Sequence, residues 1–283
     1  MLSPRDTIQQ ITVRRHFFRL VVIVLIHTKV HAFRTSALFL SSGGTCCGIP
    51  STFTTTVPSR KKNTQFGRLY ISYSSFQEVD LLYNEYYALR HGRSLANEAG
   101  IIASDPNIAC FEYGLSSEGQ LQAKQAGIDV VRTFESGSFE GLLVLSSDLL
   151  RAKETAQAVF EQAKEAGIPM HRGEIVFQEW LRERGFGEWD GTSDSNYAKV
   201  WLDDEKNADH VNHQVESVSS VIKRVSVGLL EWDSQVQHIM IVCVAHGDVL
   251  QILQTAMKKM DGRLHRSLPH LETATLRKLG GQS

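Results

Sequence analysis

Cysteine is scarce in this sequence, and long apolar runs are absent near its start. The 283 residues contain four cysteines, and their positions show no metal-ligand spacing: Cys46, Cys47, Cys110 and Cys243. A disulfide framework or a zinc site is therefore not expected. The apolar stretch Leu20–Ile26 is far shorter than the roughly 20 residues that cross a bilayer, so no permanent membrane span is expected.

Acidic residues are almost missing from the first 77 positions. Asp6 is the single acid there, against ten Lys or Arg, whereas residues 78–283 hold 20 basic and 30 acidic side chains. The body of the chain thus carries a net charge of about −10, which argues against nucleic acid as a partner. We expect a bound phosphate group to be held by a few local side chains.

Residues 1–77 are predicted to be a targeting leader that does not fold. Basic residues at 14, 15 and 19 precede the apolar stretch, and Val30-His31-Ala32 matches a signal-peptidase site. Phe33 then opens an acid-free Ser/Thr tract typical of a transit peptide. A signal over about 1–32 followed by a transit-like 33–77 resembles the plastid-targeting leaders of algae with secondary plastids. Secretion, a mitochondrial location or a cytoplasmic protein with an untargeted leader remain the alternatives.

Residues 78–283 alternate between strand-like and helix-like patterns. Apolar strand runs are predicted at Tyr86–Leu89, Leu142–Leu145, Glu174–Phe177, His238–Val244 and Thr273–Leu279. Helical patterns lie between them, near Ser117–Phe134, Asp148–Ala166, Val215–Trp232 and Val249–Lys258. This rhythm predicts an α/β fold, a three-layer sandwich in which helices cover both faces of a mainly parallel sheet.

Two of the predicted strands end in a histidine followed by a glycine. The first runs into Arg90-His91-Gly92-Arg93-Ser94-Leu95-Ala96-Asn97, and the second into Ala245-His246-Gly247-Asp248. Because strand ends in an open α/β sheet face the ligand crevice, two such turns can bring two imidazoles together. Either turn alone could be an ordinary turn carrying a surface histidine.

The motifs occur in an order that resembles the phosphoglycerate mutase-like branch of the histidine phosphatase superfamily. The first is Arg90-His91-Gly92-x-Ser94-x-x-Asn97, and the last is Ala245-His246-Gly247. Between them come Leu115-Ser116-x-x-Gly119-x-x-Gln122-Ala123, Ser146-Ser147-Asp148-Leu149-Leu150-Arg151-Ala152-x-x-Thr155-Ala156 and Leu181-Arg182-Glu183-Arg184-Gly185-Phe186-Gly187-x-Trp189-x-Gly191. The resemblance covers about residues 84–280.

The resemblance implies a role for each candidate site residue. His91 would attack phosphorus and carry the phosphoryl group as a phosphohistidine. Glu183 would act as general acid and then as general base. The phosphoryl oxygens would be surrounded by Arg90, Arg151 and His246, with neutral hydrogen bonds from Ser94 and Asn97. No metal and no cofactor are required.

The implied activity is hydrolysis of a small phosphorylated metabolite. A phosphoglycerate mutase needs a basic insert between the acid and the second histidine, whereas Thr192–Glu216 contains six acids and two lysines. We therefore predict an acidic lid and favour a phosphatase over a mutase. A non-catalytic phosphate-binding or scaffold protein is the alternative of a different class. The sequence does not identify the substrate or the oligomeric state.

Overall fold

The computed structural model of the protein describes residues 82–280. Its centre is a five-stranded sheet in the order β3-β2-β4-β1-β5. Strands β1 to β4 are parallel, and β5 runs antiparallel to β1. The strands are β1 Glu85–Arg90, β2 Gly141–Ser146, β3 Val176–Phe177, β4 Ile239–Ala245 and β5 Leu276–Lys278.

Helices connect the strands and cover the sheet. The α-helices of the described residues are α1 Leu95–Ala99, α2 Pro106–Ala109, α3 Ser117–Ser136, α4 Leu150–Glu165, α5 Tyr197–Lys206, α6 Val218–Asp233 and α7 Gly247–Met257. Short 3-10 helices lie at Glu179–Leu181, Gly187–Trp189, Asp194–Asn196, Asn212–Gln214 and Gly262–Ser267.

The alternation of side chains along each strand divides the core between the two faces of the sheet. On one face Tyr86 and Ala88 of β1 join a buried cluster with residues of α6 and α7. On the other face Tyr87 and Leu89 join a cluster with residues of α3 and α4. The predicted three-layer α/β sandwich with a mainly parallel sheet is therefore confirmed.

The predicted elements differ from the observed ones mainly in length. The third strand shrinks to Val176–Phe177, and the fifth to Leu276–Lys278. Helix α5 was not predicted, since its sequence mixes aromatic and acidic residues without a clear apolar stripe. The predicted leader, residues 1–77, lies outside the described residues.

Candidate active site

The two histidine turns meet because β1 and β4 are neighbouring parallel strands in register. Arg90, the last residue of β1, pairs with Ala245, the last residue of β4. The amide of His91 then donates to the carbonyl of Ala245 at 3.0 Å. As a result the rings of His91 and His246 lie 5.1 Å apart, centroid to centroid. The predicted meeting of the two imidazoles is observed.

The turn after His91 is held by motif residues within α3 and α4. The Gly92 amide donates to Thr155 Oγ1 at 3.1 Å, and the Arg93 amide donates to Gln122 Oε1 at 2.9 Å. Gly119 lies so close to this turn that a Cβ would overlap the Arg93 carbonyl oxygen. Thr155, Gln122 and Gly119 therefore position the turn and stay outside the lining of the cavity.

The environment of His91 fixes both its charge and its tautomer. Burial, assisted by the positive charges of Arg151 and Arg90, holds the pKa of His91 well below its usual range. Nδ1 lies 2.7 Å from the carbonyl oxygen of Gly92. Since a carbonyl only accepts, Nδ1 must carry the proton. The other nitrogen, Nε2, is then unprotonated and has a lone pair suited to nucleophilic attack.

Two arginines bring positive charge to this nitrogen. Arg151 donates from Nε to His91 Nε2 at 3.1 Å and from Nη2 to the Ala103 carbonyl at 2.9 Å. Arg90 Nη1 lies 2.9 Å from His270 Nε2 and donates to the Leu271 carbonyl at 3.2 Å. Within the described part of the chain, buried Arg151 Nη1 and Arg90 Nε have no hydrogen-bond partner. Buried donors of this kind are suited to the oxygens of an anion.

Glu183 is nine-tenths buried and faces the same cavity. Its Oε1 accepts from the amides of Arg184 at 3.0 Å and Val249 at 3.2 Å. Burial, and next the negative charge of Asp248, raise the pKa of Glu183, although Arg151 opposes the shift. The carboxyl group is thus biased towards its protonated form, with Oε2 making no hydrogen bond to the described residues.

His246 is fully buried and does not itself line the cavity. Its Nε2 lies 2.8 Å from Ser147 Oγ, and its Nδ1 has no partner among residues 82–280. Burial lowers the pKa of His246 well below its usual range, and Arg151 adds to the effect. Its predicted contact with phosphoryl oxygens, which stays a prediction, would therefore come from a neutral ring.

These groups surround a cavity of about 220 Å³. Ser94 and Asn97 line it as predicted, but they also bond to each other: Ser94 Oγ caps α1 by accepting from the Asn97 amide at 3.2 Å. Of the predicted site residues, Arg90, His91, Ser94, Asn97, Arg151 and Glu183 line the cavity. A larger cavity of about 620 Å³, near the end of α7, contains none of them.

The structure adds residues that the sequence analysis did not select. Ser147 belongs to the Ser146-Ser147-Asp148 motif, and Asp248 directly follows His246-Gly247. Their positions in the sequence could therefore have suggested both residues. Burial by itself would raise the pKa of Asp248, but nearby cations lower it, and Arg184 has the largest effect among them. Tyr197 and Arg266 also line the cavity. They come from α5 and the last 3-10 helix, which carry no local sequence signal.

The six acids of Thr192–Glu216 do not form the predicted acidic lid. Asp204 is buried in an ion pair with Arg184 at 2.7 Å, and Glu216 pairs with Arg224 at 2.8 Å. Of the six, only Asp194 lines the cavity among the described residues. The prediction failed because counting charges along a segment does not show which side chains face inward.

The comparisons with known proteins agree with this geometry. The model of the histidine phosphatase superfamily (branch 1) matches residues 86–282. The chain belongs to that family. The family predicted from the motifs is therefore confirmed. None of the curated proteins compared with the chain matches it.

Solved structures of family members share the fold. A mycobacterial glucosyl-3-phosphoglycerate phosphatase is 24% identical with a TM-score of 0.56, over 70% of this chain and 92% of that one. A phosphoserine phosphatase from Entamoeba histolytica is 23% identical with a TM-score of 0.54, over 69% and 89%. Bacillus stearothermophilus YhfR is 22% identical with a TM-score of 0.54, over 69% and 90%.

No helix among residues 82–280 is long and apolar enough to cross a membrane. In the same part of the chain no three His, Cys, Asp or Glu side chains are grouped so that they could hold a metal ion.

Proposed function

We propose that this histidine phosphatase family member hydrolyses phosphomonoesters through a phosphohistidine at His91. The observation that carries the proposal is the pairing of protonation states in one cavity. His91 is held neutral with its Nε2 lone pair inside, and Glu183 is biased towards the protonated carboxyl. A nucleophile and a proton donor are the two groups that phosphoryl transfer to a histidine needs.

In the first step His91 Nε2 attacks phosphorus, and the bond from phosphorus to the ester oxygen breaks. Glu183 gives its proton to the leaving oxygen, which departs as an alcohol. Arg90 and Arg151 hold the non-bridging oxygens, and the Arg151 Nε donor moves from His91 to one of them. Fixed donors in a buried cavity stabilise the developing charge without reorganisation.

In the second step water attacks the phosphohistidine. Glu183, now ionised, takes a proton from that water while the bond between phosphorus and Nε2 breaks. Inorganic phosphate leaves, and both residues return to their starting forms. The same carboxyl thus serves as acid and then as base.

A small phosphorylated metabolite fits the size of the cavity. The similar structures include phosphatases of glucosyl-3-phosphoglycerate and phosphoserine, which supports hydrolysis. Mutase-type transfer predicts that the phosphoryl group reappears on an acceptor, and a scaffold protein predicts binding without turnover. Measuring free phosphate separates these outcomes.

Trapping the intermediate tests the nucleophile. We expect rapid acid-free quenching with a ³²P-labelled substrate to give an acid-labile, base-stable label on His91. His91→Ala should abolish both label and turnover, while His171→Ala, at an exposed histidine away from the cavity, should change neither. Wild-type turnover in His91→Ala, or label on Ser94, would show that the nucleophile is wrongly assigned.

We further propose that the reaction needs no metal ion. The cavity presents arginine and histidine side chains towards the phosphoryl position, whereas Mg²⁺ and Ca²⁺ prefer clustered oxygen ligands. Turnover should be unchanged after dialysis against EDTA. Loss of turnover that a divalent cation restores would contradict this mechanism.

A further inference from the structure

A third arginine, Arg266, lines the same cavity as Arg90 and Arg151. It lies in the 3-10 helix Gly262–Ser267, and its guanidinium carbon stands 3.7 Å above the ring centre of Trp201 in α5. The indole is itself fixed, because Trp201 Nε1 donates to Asp248 Oδ1 at 3.0 Å. A planar cation stacked on an anchored ring has a well-defined orientation.

The side chain of Arg266 is partly buried, and its guanidinium makes no hydrogen bond to the described residues. Its side chain is 23% exposed, and its ion pair with Asp248 Oδ1 has an N–O distance of 3.7 Å. That carboxylate already accepts from Trp201 Nε1 and from Arg184 Nη1 at 3.1 Å. Within residues 82–280 Arg266 makes no hydrogen bond. Its N–H donors are therefore available to acceptor atoms of a ligand in the cavity.

Arg266 also carries charge that the phosphoryl group does not require. Arg90 and Arg151 already lie close to His91. His270, which contacts Arg90, lines the same cavity as Arg266. Burial lowers the pKa of Arg266, the negative charge of Asp248 opposes this effect, and repulsion from Arg90 adds to it. A second anion on the substrate would offset this repulsion.

We propose that Arg266, stacked on Trp201, binds a carboxylate of the substrate, so that the preferred substrates are small phosphorylated carboxylic acids. The inference rests on the proposed phosphatase activity. A carboxylate is planar and can accept two parallel N–H bonds from a guanidinium. Its single negative charge matches Arg266, whereas a second phosphate dianion would bring excess charge near Asp248 and Asp194, which line the same cavity.

Substrates matched in everything except the carboxylate test the proposal. We expect the wild type to hydrolyse 3-phosphoglycerate with a higher kcat/KM than glycerol 3-phosphate, and phosphoserine with a higher kcat/KM than phosphoethanolamine. Arg266→Gln should reduce each of these ratios by about tenfold or more. Arg266→Lys keeps the charge but loses the planar pairing, so its kcat/KM ratios should lie between those of the wild type and of Arg266→Gln.

The matched control is Arg263→Gln in the same 3-10 helix. Arg263 pairs with Asp261 at 2.6 Å outside the cavity, so the ratios should stay at the wild-type values. Unchanged ratios in both Arg266 variants would overturn the proposal. It would also be overturned if the Arg266 variants lost efficiency selectively on a bisphosphorylated substrate, because the second anion would then be a phosphate.

A binding measurement separates this inference from the proposed activity. Calorimetric titration of the His91→Ala variant should show tighter binding of 3-phosphoglycerate than of glycerol 3-phosphate, and Arg266→Gln should remove the difference. If no phosphomonoester, including p-nitrophenyl phosphate, is hydrolysed while this difference remains, the proposed hydrolysis fails and the carboxylate site stands. Equal binding of the two ligands would refute the site.

Discussion

At the scale of residues, burial shifts the pKa values of His91 and Glu183 in opposite directions. Removing a side chain from water disfavours its charged form, which lowers the pKa of an imidazole and raises that of a carboxyl group. The pKa of His91 is therefore lowered, which favours the neutral imidazole, and the pKa of Glu183 is raised, which favours the protonated carboxyl group. The main-chain carbonyl of Gly92 then selects the tautomer in which the nucleophilic nitrogen faces the cavity. The same cavity thus favours the protonation state that the proposed mechanism requires of each residue.

Replacing Glu183 with Gln tests whether this carboxyl group acts as the general acid. We expect Glu183→Gln to slow hydrolysis of alkyl phosphates by about 100-fold or more, and aryl phosphates with good leaving groups much less. An equal loss on both substrate types would instead indicate a binding or structural role for this carboxyl group.

The same variant should be more stable than the wild type at alkaline pH. Because the folded-state pKa of Glu183 is raised, its contribution to stability is complete at low pH and is lost as pH rises through that pKa. Glutamine does not ionise, so Glu183→Gln should keep its Tm over the pH range in which the wild type loses stability. Thermal melts from pH 5 to 9 would measure this, and parallel curves for the two proteins would contradict the assignment.

Residues could be predicted from the sequence where chemistry and a local motif coincide. His91, Arg90, Arg151 and Glu183 lie in motifs, and all four line the cavity. Arg266 could not be predicted, because its place depends on how a distant 3-10 helix packs on Trp201. The catalytic roles themselves remain predictions until the variants are measured.

At the scale of elements, the site depends on how closely α3 approaches the turn after β1. Ser116 caps α3 and also donates its amide to the Arg93 carbonyl at 2.9 Å. Gly119 packs against that same carbonyl, and Gly92 approaches the Gly119 carbonyl in return. The motif that begins α3 therefore supports the catalytic turn from behind.

Gly119→Ala tests this close approach. Alanine normally stabilises a helical position by about 1 kcal/mol relative to glycine, but here its Cβ would overlap the Arg93 carbonyl oxygen. We expect the free energy of unfolding to fall by about 1–3 kcal/mol and kcat/KM to fall with it, because the turn must move. Gly173→Ala, which meets no atom within 4 Å, is the control and should change neither. A stabilised, fully active Gly119→Ala would refute the supporting role.

Elements with strong periodicity were predictable and weakly patterned ones were not. The apolar runs of β2 and β4 are buried throughout, and the predicted bounds fall within about a residue of the observed ones. Helix α5 was missed because Asp204 is buried there through its ion pair with Arg184. A buried acid interrupts the apolar pattern that sequence reasoning relies on.

At the scale of the whole molecule, charge is distributed unevenly along the chain. The first 77 residues are strongly basic, and the remainder carries about −10. The proposed anion-binding cavity of this acidic body depends on arginines placed at the ends of strands and helices. Arg90 closes β1 and Arg151 lies in the first turn of α4. Local placement, rather than net charge, therefore decides what the body of the protein can bind.

The change of charge at about residue 77 also yields a prediction for the leader, which we propose carries the protein to a plastid. All strands of the described sheet lie between Glu85 and Lys278, so a protein without residues 1–77 should keep the wild-type kcat/KM and Tm. Fused to a fluorescent reporter, residues 1–77 should direct it to a plastid, whereas residues 1–32 alone should stop in the secretory route. Secretion of the longer fusion would contradict the plastid location, and cytosolic fluorescence would contradict both parts of the leader. A loss of Tm in the shortened protein would show that the leader contributes to the fold.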